Sequence, residues 1–136
     1  METTTIKLVI AGSRTITDED LIAHLMNRAW ATFGPYTVIS GTARGVDAEA
    51  AAIARAINVE VEDMPADWDK YGKSAGYKRN EQMARAADAA LIIWDGRSRG
   101  AQHMARIAAE AGLPTVLVQV QGSAIWQVSK FNMEDN

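Results

Sequence analysis

Tyr36-Thr37-Val38-Ile39-Ser40-Gly41-Thr42-Ala43-Arg44-Gly45-Val46-Asp47 decides the fold. Its first five residues are a short apolar, β-rich run, which predicts a strand. Gly41 to Gly45 is a loop bounded by two glycines, and Val46 to Ile57 is an alanine-rich helix. Strand, glycine loop, helix is a unit that recurs on both sides of this stretch. Upstream, Ile6 to Ala11 predicts a strand ended by Gly12, and Thr17-Asp18-Glu19-Asp20 supplies an N-cap and an acidic first turn. Leu21, Ile22, Leu25, Met26 and Ala29 then recur at helical spacing until Phe33-Gly34-Pro35. Downstream, Val59-Glu60-Val61 predicts a third strand, Tyr77 through Ala87 a helix, Ala89 to Trp94 a strand, a helix reaching Ala111 and a last strand at Pro114 to Val120. Met64 to Gly76 has no usable period and reads as a long loop, a kind that is often functional.

Five strands alternating with four helices imply right-handed βαβ crossovers. The expected fold class is therefore α/β, Rossmann-like, a three-layer α/β/α arrangement with a five-stranded, mainly parallel sheet. One domain spans 1–136, with a core of about 6–120, a loosely specified start and a C-terminal tail at 121–136. In such sheets ligands bind beyond the carboxyl ends of the strands, where the strand order switches. That places any site on the loops 12–16, 41–47, 64–80 and 95–100.

Composition narrows the chemistry. The 136 residues include no cysteine, which excludes disulfides, Cys-ligated zinc, iron–sulfur clusters and a thiol nucleophile. With His24 and His103 as the only histidines, no His-rich metal site is expected, and no cofactor is called for. No apolar run approaches a membrane span and the start has no secretory pattern, so the chain reads as soluble and cytoplasmic, with no membrane partner. The net charge of −3 argues against a general nucleic-acid binder. The four loops nevertheless hold eight basic residues (Arg14, Arg44, Lys70, Lys73, Lys78, Arg79, Arg97, Arg99) against four acidic ones (Asp47, Asp67, Asp69, Asp95). They carry +4, leaving −7 for the rest.

Each loop offers anion chemistry beside a plainer role. Gly12-Ser13-Arg14 lets a ligand approach the backbone under a guanidinium that grips phosphate, or is a turn with a solvated arginine. The 41–47 loop opens a helix whose N–H groups favour anions. There Asp47 is a dipole-stabilised helix residue, a ribose-hydroxyl acceptor or a water activator. Lys78-Arg79-Asn80 puts cations at the expected helix start, against the dipole, which points to a bound anion. Asp95-Gly96-Arg97-Ser98-Arg99-Gly100 repeats the device, or is a polar turn. Trp68 and Tyr71 read as anchors of their loop to the core before stacking platforms for a base. Trp94, Met83 and Met104 read as core, and the two histidines as surface or packing residues.

Taken together, Gly12-Ser13-Arg14, the Ser40-to-Asp47 run, Ala66-Asp67-Trp68, Ala75-Gly76, Arg79-Asn80 with Met83, and Trp94-Asp95-Gly96 with Ser98 and Gly100 resemble the YspA/YpsA-like branch of the SLOG superfamily. That superfamily is named for the Smf/DprA DNA-uptake proteins and the LOG phosphoribohydrolases. The resemblance covers about residues 6 to 120 and implies a nucleotide or nucleotide-derived ligand, with a homo-oligomer as partner state. The LOG enzymes use a P-G-G-x-G-T-x-x-E motif. Aligned on the glycine before its threonine, this chain has Gly100, then Ala101 for the threonine and Met104 for the glutamate, so the catalytic carboxylate is missing there.

The function expected is binding of a phosphorylated ribonucleotide, or of an ADP-ribose-type signal. The binding residues would be Gly12, Ser13, Arg14, Gly41, Thr42, Arg44, Gly45, Asp47, Trp68, Arg79, Asn80, Asp95, Gly96, Ser98 and Gly100. Two alternatives stand beside it. One is a nucleotide phosphoribohydrolase using Asp47, Asp95 or Glu81. The other is single-stranded DNA binding like DprA, disfavoured by the acidic balance.

Overall fold

The computed structural model describes residues 5–122 and 124–131. In chain order the elements are β1 (Ile6–Gly12), α1 (Glu19–Phe33), β2 (Tyr36–Ser40), α2 (Val46–Ala56), β3 (Val61–Asp63), α3 (Trp68–Tyr71), a 3-10 turn (Gly72–Ser74), α4 (Ala75–Ala86), β4 (Ala89–Trp94), α5 (Arg99–Glu110), β5 (Thr115–Gln121) and β6 (Ala124–Phe131). The sheet order is β3-β2-β1-β4-β5-β6. All neighbours run parallel except β5 and β6, which pair antiparallel from Gln121↔Ala124 to Thr115↔Phe131.

Both sheet faces are covered, as continuous apolar strands require. The period of two along β1 sends Leu8 and Ile10 to a core with Ile22, Leu25, Val38, Leu91 and Ile93, beneath α1 and α2. Val9 and Ala11 face the opposite core, with Ile39, Met83, Ile92 and Met104, beneath α4 and α5. Burying one such side chain contributes roughly 1.5–3 kcal/mol. Asp18 caps α1 by accepting from Leu21 N at 3.1 Å, and Gly34 ends the helix at a φ of 83°. From β3 the chain crosses back over β2 and β1 to reach β4, so the order switches between β1 and β4.

Four expectations are corrected. The sheet has six strands rather than five, because the segment expected as a tail at 121–136 holds β6. Gly122, with a φ of 64°, forms the turn into it. β3 sits at Val61–Asp63 instead of 59–61. Its start is delayed because Asn58 adopts a φ of 63° and Val59 N still bonds back to Ala54 O. The stretch expected as an irregular loop contains α3, capped by Asp67, whose Oδ1 accepts from Lys70 N at 3.1 Å. Helix α4 starts at Ala75, so Lys78, Arg79 and Asn80 lie a turn inside it and do not oppose the dipole at a helix start. No helix among the described residues is long and apolar enough to cross a membrane.

Candidate functional site

At the β1/β4 switch point lies a cleft of about 360 Å³. The end of β1 contributes Gly12 and Arg14, the loop after β2 contributes Ala43 and Asp47, and α3 with the following turn contributes Trp68 and Lys73. From α4 come Tyr77, Arg79 and Asn80, and the start of α5 supplies Ser98, Gly100, Ala101 and Met104. A second depression lies against it, formed by Gly41, Thr42, Arg44 and Pro65, and shares Arg14, Ala43, Trp68 and Arg79 with the first. Gly12, Arg14, Gly41, Thr42, Arg44, Asp47, Trp68, Arg79, Asn80, Ser98 and Gly100 thus meet on one edge of the sheet.

Asp47 and Arg79 are the charges of this edge that act on each other. Asp47 is only 3% exposed, and its Oδ1 accepts from Gly12 N at 3.2 Å. Burial raises its pKa to about 6, against the lowering effects of Arg79 and of the N–H groups of Gly12, Ala43 and Asp47 itself. Burial likewise lowers the Arg79 pKa, opposed by Asp47 and reinforced by Arg14. Arg79 donates from Nη1 to the carbonyl oxygen of Gly41 and from Nε to Asn80 Oδ1 at 3.1 Å. Gly41 is where the two charges converge. A Cβ there would lie 2.6 Å from Asp47 Oδ2 and 2.7 Å from Arg79 Nη1.

The other glycines divide by what fills their missing side chain. At Gly12 a Cβ would meet Ile93 O at 2.1 Å and Val46 Cγ2 at 2.7 Å. At Gly45, whose φ is 81°, it would meet Ser13 O at 2.4 Å. Both glycines let α2 close onto the end of β1, so the approach they permit is the protein's own. Gly100 differs: nothing lies within 4 Å of its Cβ position, and its backbone is open to the cleft.

Ser13, Gly45, Asp95 and Gly96 are not brought to the cleft wall. Ser13 is buried, donates from N to Ile93 O at 3.0 Å, and accepts on its carbonyl oxygen from Ile16 and Val46. Its hydroxyl accepts from Asp95 N at 2.9 Å. The Asp95 carboxylate accepts from the N–H groups of Arg97 and Ser98, each at 2.8 Å, and from Thr15 Oγ1 at 2.8 Å. Burial pushes its pKa up, but those donors with the Ser13 hydroxyl outweigh it and hold the carboxyl below its usual range. Asp95 is thereby committed to shaping the loop that lets Ser98 cap α5. Glu81 is exposed and lines a different depression, with Gln82 and Arg85. Of the three carboxylates named as catalytic candidates, Asp47 alone faces the cleft.

Trp68 and Tyr71 depart from their expected places, whereas Trp94 packs against the core beneath α4 and α5. Trp68 is 52% and Tyr71 38% exposed, and α3 buries none of its residues, so neither anchors the loop to the core. Trp94 is half-buried and straps the next loop by donating from Nε1 to Ser98 O at 3.0 Å. Met83 and Met104 are buried as expected, and Met104 also forms part of the cleft wall. Ala43, Lys73 and Tyr77 are not among the expected binding residues, although Lys73 counts among the loop cations. Tyr77 marks the expected start of its helix; with α4 beginning at Ala75 it falls within the first turn, on the cleft.

The family model described as "YspA, cpYpsA-related SLOG family" matches residues 6–71. The Gene 61 protein of Mycobacterium phage D29 is 38% identical over 122 residues, covering 81% of this chain and 94% of the relative. The chain belongs to the YspA, cpYpsA-related SLOG family. Among solved structures, the SLOG fold seen here is similar to DprA from Streptococcus pneumoniae, with a TM-score of 0.63 at 18% identity. That match covers 86% of this chain and 51% of the other, so this SLOG chain spans about half of that protein's length. DprA from Helicobacter pylori matches with a TM-score of 0.58 at 21% identity, over 87% of this chain and 67% of that one. These two likenesses support the Rossmann-like fold. The matched segment 6–71 ends before Lys73, Tyr77, Arg79, Asn80 and the start of α5, so more than half of the residues lining this SLOG cleft lie beyond it.

Proposed function

We propose that the cleft binds a phosphorylated ribonucleotide or a nucleotide-derived ligand of ADP-ribose type. One observation carries this reading. Arg14, Lys73 and Arg79 converge with the exposed ring of Trp68 at the strand-order switch point, with Asp47 the only carboxylate among them. Guanidinium groups grip phosphate by two parallel bonds, and a half-exposed indole offers a face to a base. The volume lies at the lower end of what small-molecule sites enclose, and membership of the SLOG family agrees with a nucleotide-related ligand. The open backbone of Gly100 at the first turn of α5 provides a further approach for phosphate oxygens. Asp47 is suited to accept a ribose hydroxyl.

Binding is favoured over phosphoribohydrolase action. N-glycosidic cleavage develops positive charge on the sugar and needs carboxylate help, whereas the position aligned with the LOG glutamate is the thioether of Met104. Single-stranded DNA is the second reading. Helicobacter pylori DprA binds single-stranded DNA, and here two adjoining cationic depressions share the exposed Trp68. Stacking rings along a basic groove suit an unpaired strand, which weakens the expectation against nucleic acid.

Thermal unfolding with AMP, ADP-ribose, adenosine and an oligo-dT separates these readings. A ligand that binds only the native state stabilises it by about 2.7 kcal/mol at a hundredfold excess over Kd. AMP or ADP-ribose is expected to raise the midpoint while adenosine does not. Equal shifts from AMP and adenosine refute phosphate gripping, and a shift from oligo-dT alone selects the DNA reading. Mass spectrometry of the same mixtures is expected to show the nucleotides intact.

A further inference from the structure

The Asn80 side chain meets three partners. Its Oδ1 accepts from Arg79 Nε at 3.1 Å, and its Nδ2 donates to Gly100 O at 3.2 Å. A guanidinium N–H only donates and a carbonyl oxygen only accepts, so these two contacts fix which end of the amide is oxygen. Nδ2 also lies 3.2 Å from His103 Nδ1. That ring nitrogen must therefore accept, since two donors would otherwise face each other. The ring proton sits on Nε2 and the imidazole is uncharged.

We propose that His103 is a positioning residue of the cleft: its neutral ring holds the Asn80 amide, the amide holds the Arg79 guanidinium, and protonation of the ring releases that hold. The path runs from α5 to α4, ending on a cation that lines both depressions. A consequence for ligand affinity rests on the nucleotide-binding reading, whereas the linkage itself does not.

The surroundings of His103 favour such a role. From α4, the Tyr77 ring meets the imidazole edge to face at 4.5 Å between centroids, and Glu81 adds negative charge. From its own helix, Arg99 and Arg106 share a depression with it, and Glu110 adds a second negative charge. Burial, then Arg106, hold the ring pKa below its ordinary value against the two glutamates. The ring is thus neutral at neutral pH and takes up its proton only below the ordinary histidine range. Once protonated, Nδ1 becomes a donor aimed at Asn80 Nδ2. Rotation of the amide to offer Oδ1 to His103 gives up the Nδ2 bond to Gly100 O and turns Nδ2 toward Arg79 Nε, so the Arg79 Nε contact breaks while the guanidinium retains Gly41 O as an acceptor.

The test follows side-chain N–H signals by NMR in the ligand-free protein between about pH 5 and 8, in wild type, His103→Asn and His103→Phe. Asparagine keeps an acceptor near the Nδ1 position without titrating, and phenylalanine keeps a ring against Tyr77 without an acceptor. In wild type, the Asn80 amide and Arg79 Nε–H signals are expected to move with the midpoint of the His103 ring protons. This component is expected to vanish in His103→Asn, which stays near the neutral-pH positions, while His103→Phe shifts both signals at every pH. Asp47 titrates near Arg79 in all three proteins, so the readout is the difference between wild type and His103→Asn. Signals of Asn80 and Arg79 that ignore the His103 titration, or that titrate alike in His103→Asn, overturn the proposal. ADP-ribose, whose phosphates do not titrate in this range, gives the functional arm. Its affinity is expected to fall about threefold to tenfold more on acidification in wild type than in His103→Asn. Failure to bind any nucleotide refutes the binding function, and the ligand-free spectra still decide the linkage.

Discussion

Replacing Asp47 by asparagine isolates the cost of burying a carboxyl beneath Arg79. Burial raises its pKa from 3.8 to about 6, so the native state holds this proton more tightly than the unfolded chain does. Stability is then greatest below the unfolded value and falls as pH rises through the window from 3.8 to about 6. At 1.36 kcal/mol per pH unit the full cost above that window is about 3 kcal/mol. About 2 kcal/mol of it develops between pH 4.5 and 7.5. Asparagine has nearly the same shape, keeps an acceptor for Gly12 N–H and carries no titrating proton. It also deprives the half-buried Arg79 of its counter-charge, which offsets part of the gain at neutral pH. Urea unfolding of both proteins at the two pH values measures the change. The stability difference is expected to move in favour of the variant by about 2 kcal/mol on going from pH 4.5 to 7.5. A difference that ignores pH, or moves toward wild type, refutes the reasoning.

Further substitutions test the geometry around this pair. Gly12→Ala drives a Cβ into the Ile93 carbonyl and Val46, neither of which is a flexible side-chain end, and is expected to cost at least about 2 kcal/mol in denaturant unfolding. In Gly41→Ala the nearest atoms met are the side-chain ends of Asp47 and Arg79, so the fold is expected to survive while nucleotide affinity drops about tenfold in a titration. Asp95→Ala removes the acceptor for two backbone N–H groups and a hydroxyl, with an expected cost of about 1–3 kcal/mol in stability and less than a tenfold change in affinity. Trp68→Ala is expected to leave the unfolding midpoint within about 0.5 kcal/mol and to weaken nucleotide binding by the roughly 1–3 kcal/mol typical of base stacking.

Much of the fold was legible because parallel strands buried on both faces leave continuous apolar runs, as in β1, β2 and β4. β6 was not, because an edge strand pairs on one side only and a βαβ reading has no place for a closing hairpin. α3 escaped because four residues are too few to show a helical period, although Asp67 is its N-cap. The cleft was legible in its cations, since the topology alone carries Arg14 and Arg79 to the switch point. The glycines were harder. Gly12, Gly45 and Gly100 look alike in sequence, and only the structure shows that the first two face the protein's own backbone while the third faces open space. Asp95 shows the same limit: a carboxylate in a glycine loop serves a ligand or its own amides, and here four donors claim it. His103 looked like a packing residue because its partner Asn80 lies 23 positions away on another helix.

In the proposed function, Arg14 and Arg79 hold a phosphorylated ligand at the β1/β4 switch point. Calorimetric titration of AMP and ADP-ribose into wild type, Arg14→Ala, Arg79→Ala and Arg97→Ala tests it most directly. Losing a charge-assisted bond costs roughly 1.5–3 kcal/mol, so affinity for the ligand that binds is expected to fall at least about tenfold in Arg14→Ala and in Arg79→Ala. Arg97, exposed at its loop tip and outside both depressions, is expected to show a smaller loss. Unchanged affinity in both Arg14→Ala and Arg79→Ala would place the ligand elsewhere.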